Sequence, residues 1–148
     1  MIDDDRIRRE AAAKACWDRF YGKSYDPGKR DCVKLATHAL IKMGHGSGPM
    51  KGMTYSSEAQ GYRLLIKAGF KTLVEALDAR GLPRIAPAMA MQGDLIAMDG
   101  GDDNPFGVAL TVAMADRIVL GFSGGICSTW RPLSFATDAD GKPLAWRL

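Results

Sequence analysis

The stretch DCVKLATHALIKMG at residues 31–44 decides the first half of the fold. Its apolar residues lie three and four positions apart, as they do on one face of an α-helix; they are Cys32, Leu35, Ala36, Ala39, Leu40 and Met43. Asp31 is a favourable N-cap, and helices commonly end at a glycine such as Gly44. The stretch therefore predicts an amphipathic helix that begins with a cysteine and runs to about Met43.

Three more helices are predicted around this one, and together the four form a helical half at about residues 1–82. The three span about residues 4–20, from Ser56 or Ser57 to Gly69, and about residues 71–80. The first segment is rich in alanine, which favours helix. In the next, Ser57 with Gln60 three residues later has the form of a capping box, which indicates a helix start.

The second half of the chain, at about residues 90–148, predicts strands joined by tight turns. The strands are expected at residues 94–98, 106–114, 117–122, 126–130 and 144–148. The turns include Ala115-Asp116 and Ser123-Gly124-Gly125, which have hairpin composition. Short consecutive strands that follow a block of helices predict a single α+β domain, 1–148, in which the helices pack on a small antiparallel barrel or sheet.

Composition excludes several classes of function. Of 148 residues, 47% are hydrophobic and 25% charged, which is ordinary for a globular protein. The net charge of +3 is too small to predict binding to nucleic acid or to an anionic membrane. No apolar run approaches the roughly 18 residues of a membrane span. The acidic start, Met1–Asp5, lacks the apolar core of a signal peptide, so we expect cytoplasmic synthesis.

The cysteines and histidines predict neither a disulfide framework nor a structural zinc site. There are three cysteines and two histidines, and no Cys-x-x-Cys pair. The loop at residues 99–104 contains Asp99, Asp102, Asp103 and Asn104, which could hold a hard cation. Their spacing is not that of a calcium loop, so a solvated turn is favoured. We therefore predict no metal and no cofactor.

Cys32 is the residue most suggestive of chemistry. A cysteine in the first turn of a helix lies in the positive field of the helix N-terminus, which favours the nucleophilic thiolate. The alternative is a small buried apolar side chain, because Cys32 also belongs to the apolar face that includes Leu35 and Ala36.

The order of short motifs resembles the NlpC-type, papain-like cysteine peptidases. Asp31-Cys32 opens a helix after a segment that ends in Tyr25, and Gly93-Asp94-Leu95 matches the start of the family's first barrel strand. The resemblance is closer to an uncharacterised offshoot found in phage and prophage genomes. The additional matches are Tyr55 to Gly61, Ala68-Gly69, Gly107-Val108 and Trp146-Arg147, so the resemblance covers about residue 15 to the end.

The resemblance fails at the catalytic base. The active family carries His-Val-Gly-Ile where this chain has Gly107-Val108-Ala109-Leu110, so the expected histidine position is Gly107. A papain-type nucleophile needs an imidazole within about 3–4 Å of its sulfur.

Neither of the two histidines is placed to replace the missing base. His38, six positions after Cys32, lies about 240° around the helix and points away from the sulfur. His45 lies past the far end of the helix, roughly 17 Å from Cys32. Asp94 is only a weak replacement, since an aspartate at a strand start more often accepts from backbone donors.

The resemblance and the missing imidazole together imply a catalytically impaired member of this group, of phage or prophage origin, that assists virion assembly in or near the tail. The expected partners are other proteins, such as tail components, and further copies of the chain. Two alternatives stay open. One is an active cysteine hydrolase, a peptidoglycan endopeptidase or amidase that uses Cys32. The other is a pseudoenzyme that retains the groove and binds a cell-wall peptide or glycan.

Methionines suggest where protein contacts could lie. Met50 and Met53 flank Lys51 in a loop, and of the methionines they are the better candidates for interface residues, because methionine is enriched at interfaces. The methionines of the second half, at positions 89, 91, 98 and 114, are expected to be adaptable core residues.

Overall fold

The computed structural model describes residues 4–101 and 103–148. Met1–Asp3 of the acidic N-terminal run and Asp102 of the acidic loop therefore lie outside the described residues. The helices are α1 (Asp4–Phe20), α2 (Cys32–Lys42), α3 (Glu58–Lys67) and α4 (Leu73–Asp78). The strands are β1 (Arg84–Ile85), β2 (Leu95–Asp99), β3 (Val108–Ala113), β4 (Val119–Ser123), β5 (Ile126–Trp130) and β6 (Ala145–Trp146). Helices precede strands, so the α+β prediction is confirmed.

Side-chain caps fix where the helices begin. Asp31 accepts a hydrogen bond from the Lys34 amide at 2.8 Å at the start of α2, as predicted. Ser57 accepts from the Gln60 amide at 3.1 Å and starts α3. Each bond satisfies a backbone donor that has no partner within the helix.

All the strands pair antiparallel in one sheet, in the order β1-β6-β2-β3-β4-β5. Of the predicted barrel or sheet, the described part of the chain forms an open sheet that does not close into a barrel. β1 and β6 pair over two residues only. Strands this short at one edge of the sheet cannot curve far enough to meet β5 at the other edge. Residues 22–25 cover the β5 edge instead, through a bridge between Ser24 and Ile126.

The main core lies between the inner face of the sheet and the helices. α2 packs against both α1 and β3. Core residues of the helices and the sheet that are less than 2% exposed include Phe20, Leu35, Leu40, Leu95, Leu110 and Leu120. A second, smaller cluster covers the outer face of the sheet and consists of Ile96, Ala113, Val119 and Ala145.

A buried ion pair joins the first helix to the sheet. Asp94, fully buried just before β2, accepts from Arg9 of α1 at 2.7 Å. The same carboxylate accepts from the backbone amides of Met91 and Leu148, each at 2.9 Å. Asp94 therefore holds three segments of the chain together, which agrees with the prediction that it satisfies backbone donors.

The expectation for the methionines is wrong in two places. Met50 is 5% exposed and Met53 packs against the main core, so this loop points its methionines inward. Met89 and Met91, expected in the core, are 65% and 40% exposed. The reason is that residues 87–89 form a short 3-10 turn, which does not bury both sides of the segment.

Candidate functional site

Cys32 borders a cavity of about 200 Å³ at the start of α2. The cavity is formed where four separate segments meet: the turn before α2, the start of α3, the loop after β2 and the β4–β5 hairpin. Its polar and aromatic lining includes Tyr25, Glu58, Asn104, Phe106, Phe122 and Ser123. The structure therefore places the predicted nucleophile beside an open space and not in the sealed core.

Asp31 organises the chain next to Cys32. Its side chain is buried and accepts from Lys34 N and Gly28 N, each at 2.8 Å, and from Tyr55 Oη at 2.7 Å. Three donors around one carboxylate leave it little capacity to act as a base. Asp31 is therefore a structural cap that fixes the position of Cys32.

Tyr55 is locked in place by two glycines. At Gly28, where φ is +84°, an added Cβ would lie 1.8 Å from the carbonyl oxygen of Tyr55. At Gly61, a Cβ would lie 3.0 Å from the Tyr55 ring and 3.1 Å from the Phe106 ring. Close packing therefore explains both ends of the segment: Tyr55 fills the space beside Gly28, and Gly61 leaves room for the Tyr55 ring.

A second tyrosine–carboxylate pair stands on the other side of the cavity. Tyr25 Oη donates a short hydrogen bond to Glu58 of α3. The Tyr25 ring packs edge-on against Phe122, with centroids 5.8 Å apart. Burial, with Glu58 as the next cause, raises the pKa of Tyr25, so its hydroxyl stays protonated and keeps Glu58 engaged.

The environment of Cys32 favours the neutral thiol. Burial raises the pKa of Cys32 to about 12, and the charges of Asp31 and Glu58 act in the same direction. The backbone amides of Leu110 and Cys32 pull the pKa down but do not offset burial. Although Cys32 reaches the cavity, its thiol carries very little thiolate at neutral pH.

Neither histidine is among the residues that line the Cys32 cavity. His38 is half-buried and packs edge-on against Phe20 of α1, with ring centroids 5.9 Å apart. The expectation of a solvated helix residue is wrong for His38, because α1 covers that side of α2. His45 is exposed beyond α2, where its carbonyl accepts from Arg80 at 3.4 Å.

The structure also locates Gly107, the position where the family's histidine is expected. A Cβ on Gly107 would meet Thr72, at 3.3 Å, and has no other neighbour within 4 Å. Ala109, two residues further along, lines the Cys32 cavity. A side chain at Gly107 would therefore be aimed at the start of α4 and not at the sulfur.

Asp94 and the acidic loop lie apart from any base role at Cys32. Asp94 precedes β2, whereas Gly100, which lines the cavity, follows its other end, roughly 20 Å away at strand rise. The loop aspartate Asp99 accepts from its own loop, at Gly101 N. Within residues 4–101 and 103–148, no three His, Cys, Asp or Glu side chains converge as metal ligands would.

The sequence did not predict that Glu58, Asn104 or Ser123 would lie beside Cys32. Glu58 stood in the first turn of a predicted helix, where a carboxylate is common. Asn104 and Ser123 stood in predicted turns. The one feature of the sequence that could have indicated Asn104 and Ser123 is that each lies in a loop at the end of a strand, where functional sites are often built.

The fold and the site together define an α+β protein with a cysteine at a helix start, beside a small cavity. The chain belongs to the family described as Domain of unknown function (DUF6950), which it matches over residues 5–139. No curated protein matches the chain. No helix in the described ranges has the length and apolar character needed to cross a membrane.

Proposed function

We propose that this protein is a catalytically impaired relative of the NlpC-type peptidases, of phage or prophage origin, that acts in virion assembly through protein contacts. The observation that carries the loss of catalysis is geometric: neither histidine lines the Cys32 cavity, and the two carboxylates near the thiol are each held by a tyrosine hydroxyl. The motif resemblance from Tyr25 to Trp146 supports the papain-like ancestry.

The chemistry of the cavity supports this proposal. Amide hydrolysis by cysteine needs a thiolate to attack and an acid to protonate the leaving amine. The two carboxylates near the thiol, Asp31 and Glu58, are each bound by a tyrosine hydroxyl. Both raise the pKa of the thiol, which is the opposite of what an imidazolium does. Loss of general acid–base help alone typically costs about 10²–10⁴ in rate.

Thiol labelling with peptide mapping tests the loss of catalysis. At pH 8 we expect Cys32 to react at least about a hundredfold more slowly than free cysteine, because so little thiolate is present. With p-nitrophenyl acetate we expect no burst that depends on Cys32, with Cys32→Ala as the control. A labelling profile that rises through a pKa below about 7, with a burst lost in Cys32→Ala, would contradict the proposal.

A second candidate, an active cysteine hydrolase, is favoured by one feature. Cys32 is the first residue of α2 and receives the influence of two backbone amides, which is the kind of setting that stabilises a thiolate. Hydrolysis of a cell-wall peptide by the purified protein, abolished by Cys32→Ala, would select this candidate.

The assembly role is tested in the strain that encodes the chain. We expect the protein in purified particles, and we expect Cys32→Ala to leave particle yield and infectivity unchanged because the thiol does no chemistry. Absence of the protein from particles would contradict the assembly role without bearing on the thiol chemistry.

A further inference from the structure

A second cavity, which shares no lining residue with the Cys32 cavity, lies on the outer face of the sheet. It has a volume of about 580 Å³. Its floor is the outward side of three central strands, with Ile96 of β2, Ala113 of β3 and Val119 of β4. The helices cover only the opposite face, so this one is the unpartnered face of the sheet.

Two segments form the walls of this groove, and both expose apolar side chains. One wall is residues 87–92, of which Pro87, Ala88, Ala90 and Gln92 line the groove; Met89 of the same segment is 65% exposed but is not part of the lining. The other is residues 131–135, where Leu133 is 99% exposed. Because Leu133 adjoins the apolar groove, it extends one contiguous apolar surface, and contiguous apolar patches mark surfaces that meet a partner.

Positive charge borders the groove at the β3–β4 turn. Arg117 is exposed and has no polar partner among the described residues, and its φ of +62° is an unusual backbone for arginine. Arg131 donates to the backbone carbonyl of Asp116 at 3.1 Å. This border of the groove therefore carries two guanidinium groups and one carboxylate, that of Asp116, so its net charge is positive.

The groove continues onto α1. A neighbouring cavity of about 420 Å³ shares five lining residues with it: Gln92, Met114, Ala115, Asp116 and Ile118. Trp17 of α1 lines its far side and is stacked on the exposed Tyr21, with ring centroids 3.8 Å apart. The charged residues that line that end are paired locally, since Lys14 pairs with Asp18 and Glu10 pairs with Arg6.

We propose that this continuous surface, from Leu133 through Arg117 to Trp17, docks an amphipathic, acidic segment of a partner protein. The groove would take apolar side chains, while Arg117 and Arg131 would pair with carboxylates beside them. This inference rests on the part of the proposed function that assigns protein contacts, and it names the chemistry of the partner.

The continuity of the surface favours a protein segment over a small ligand. A cavity of 580 Å³ alone would suit a compact molecule. The adjoining cavity and the stacked tryptophan extend the apolar surface beyond what such a molecule covers. Tryptophan, methionine and arginine, which all occur here, are the residues enriched where proteins meet.

The test uses two short amphipathic peptides with the same leucine and phenylalanine residues, one with glutamate and one with lysine on its polar face. By fluorescence anisotropy we expect the full chain to bind the glutamate peptide at least about tenfold more tightly at about 0.05 M salt. The preference should shrink at about 0.5 M salt, where the charges are screened. Amide NMR signals of residues 113–119 and 131–135 should shift.

Variants separate the two parts of the surface. Arg117→Gly with Arg131→Ser should abolish the preference for the glutamate peptide, and Leu133→Ser should weaken the binding of both peptides. Arg63→Ser, an exposed arginine on α3, is the matched control and should change nothing. Near-UV circular dichroism checks that each variant is folded.

Three results would overturn the inference. The first is equal or absent binding of the two peptides. The second is binding of a small apolar anion such as decanoate at these residues without peptide binding. The third is a concentration-dependent dimer that Leu133→Ser dissociates, which would make the occupant a second copy. None of these bears on the reactivity of Cys32, so failure here is distinguishable from failure of the thiol chemistry.

Discussion

The hydroxyl of Tyr55 donates a 2.7 Å hydrogen bond to the buried carboxylate of Asp31, the residue that caps α2. Tyr55 comes from the loop before α3, so this one bond ties the start of α2 to the segment that carries Glu58. Since Cys32 follows Asp31 directly, the bond also fixes the position of the thiol relative to its cavity.

Tyr55→Phe should lower the free energy of unfolding by about 1.5–3 kcal/mol, because a buried hydrogen bond to a charged acceptor is lost. Asp31→Ala should cost more, since it removes the cap and leaves the amides of Gly28 and Lys34 without their acceptor. Urea unfolding of both single variants and the double variant measures the coupling. Additive losses would contradict a direct interaction.

Gly28 provides a sharp packing test. Gly28→Ala should destabilise the protein by about 1–3 kcal/mol beyond the cost of its backbone conformation, because the new Cβ meets the Tyr55 carbonyl. Gly22→Ala is the matched control, since Gly22 has a similar φ of +78° but open space around it. Equal losses in thermal unfolding would show that the Tyr55 loop moves away freely.

Local signals made the helices and most strands predictable. Asp31 and Ser57 were recognisable caps because capping depends on a side chain and an amide only three residues apart. β1 was not predicted, and β6 was predicted too long, because each pairs over two residues. A two-residue strand is defined by its hydrogen bonds to a partner that is distant in the sequence. It is too short to show the alternation of apolar and polar residues from which longer strands are predicted. The open sheet depends on the same pairings, so barrel closure could not be judged locally.

The candidate site was predictable only in its first residue. Cys32 was visible because its setting, the first turn of a capped helix, is a local one. Glu58 and Asn104 reach the same cavity from segments far along the chain, and each also fits an ordinary role in its own loop or helix. The burial of Met50 and the exposure of Met89 were missed for the same reason, since tertiary packing decides them.

The buried pair of Arg9 and Asp94 should dominate the response of the fold to charge changes. Asp94→Asn should cost about 1.5–3 kcal/mol, because it removes the buried one of the two carboxylates that pair with Arg9 and leaves only the partly exposed Asp5. Asp99→Asn, at the exposed end of β2, is the control and should cost no more than about 0.5 kcal/mol.

A double variant tests whether the Asp94 effect arises from the pair itself. Arg9→Met should be less damaging in the Asp94→Asn background than in the wild-type protein, since the two changes share one interaction. The measurement is chemical denaturation of the four proteins. Equal effects of Arg9→Met in both backgrounds would contradict the pairing.

The buried thiols should make the protein less stable in alkali. Burial raises the pKa of Cys16 to about 12 and that of Cys127 to about 11. Above the ordinary thiol pKa of about 8.5 the unfolded chain loses these protons while the folded chain retains them. The free energy of unfolding is therefore unaffected below about pH 8 and falls from there towards pH 11, by at most about 1.4 kcal/mol per pH unit for each thiol.

Cys16→Ala checks this pH dependence. The variant should lose some stability at every pH, since it leaves a small cavity, but its slope between pH 9 and 11 should be shallower. Urea unfolding across that range gives the slopes. Identical slopes would mean that Cys16 ionises as easily in the folded protein as in the unfolded chain.

A histidine placed on the cavity should move Cys32 towards reactivity, and its position should matter. Ala109 lines the cavity, so Ala109→His offers an imidazolium that favours the thiolate. Gly107→His should leave the thiol unchanged, because its side chain would start against Thr72, and it should destabilise the protein, because φ there is +85°. We expect Ala109→His to raise the rate of Cys32 labelling at pH 8 at least about tenfold over both the wild type and Gly107→His. A larger gain from Gly107→His than from Ala109→His would mean that a side chain at residue 107, and not at residue 109, reaches the sulfur. Gly107 would then be the position equivalent to the family's catalytic histidine in space as well as in sequence.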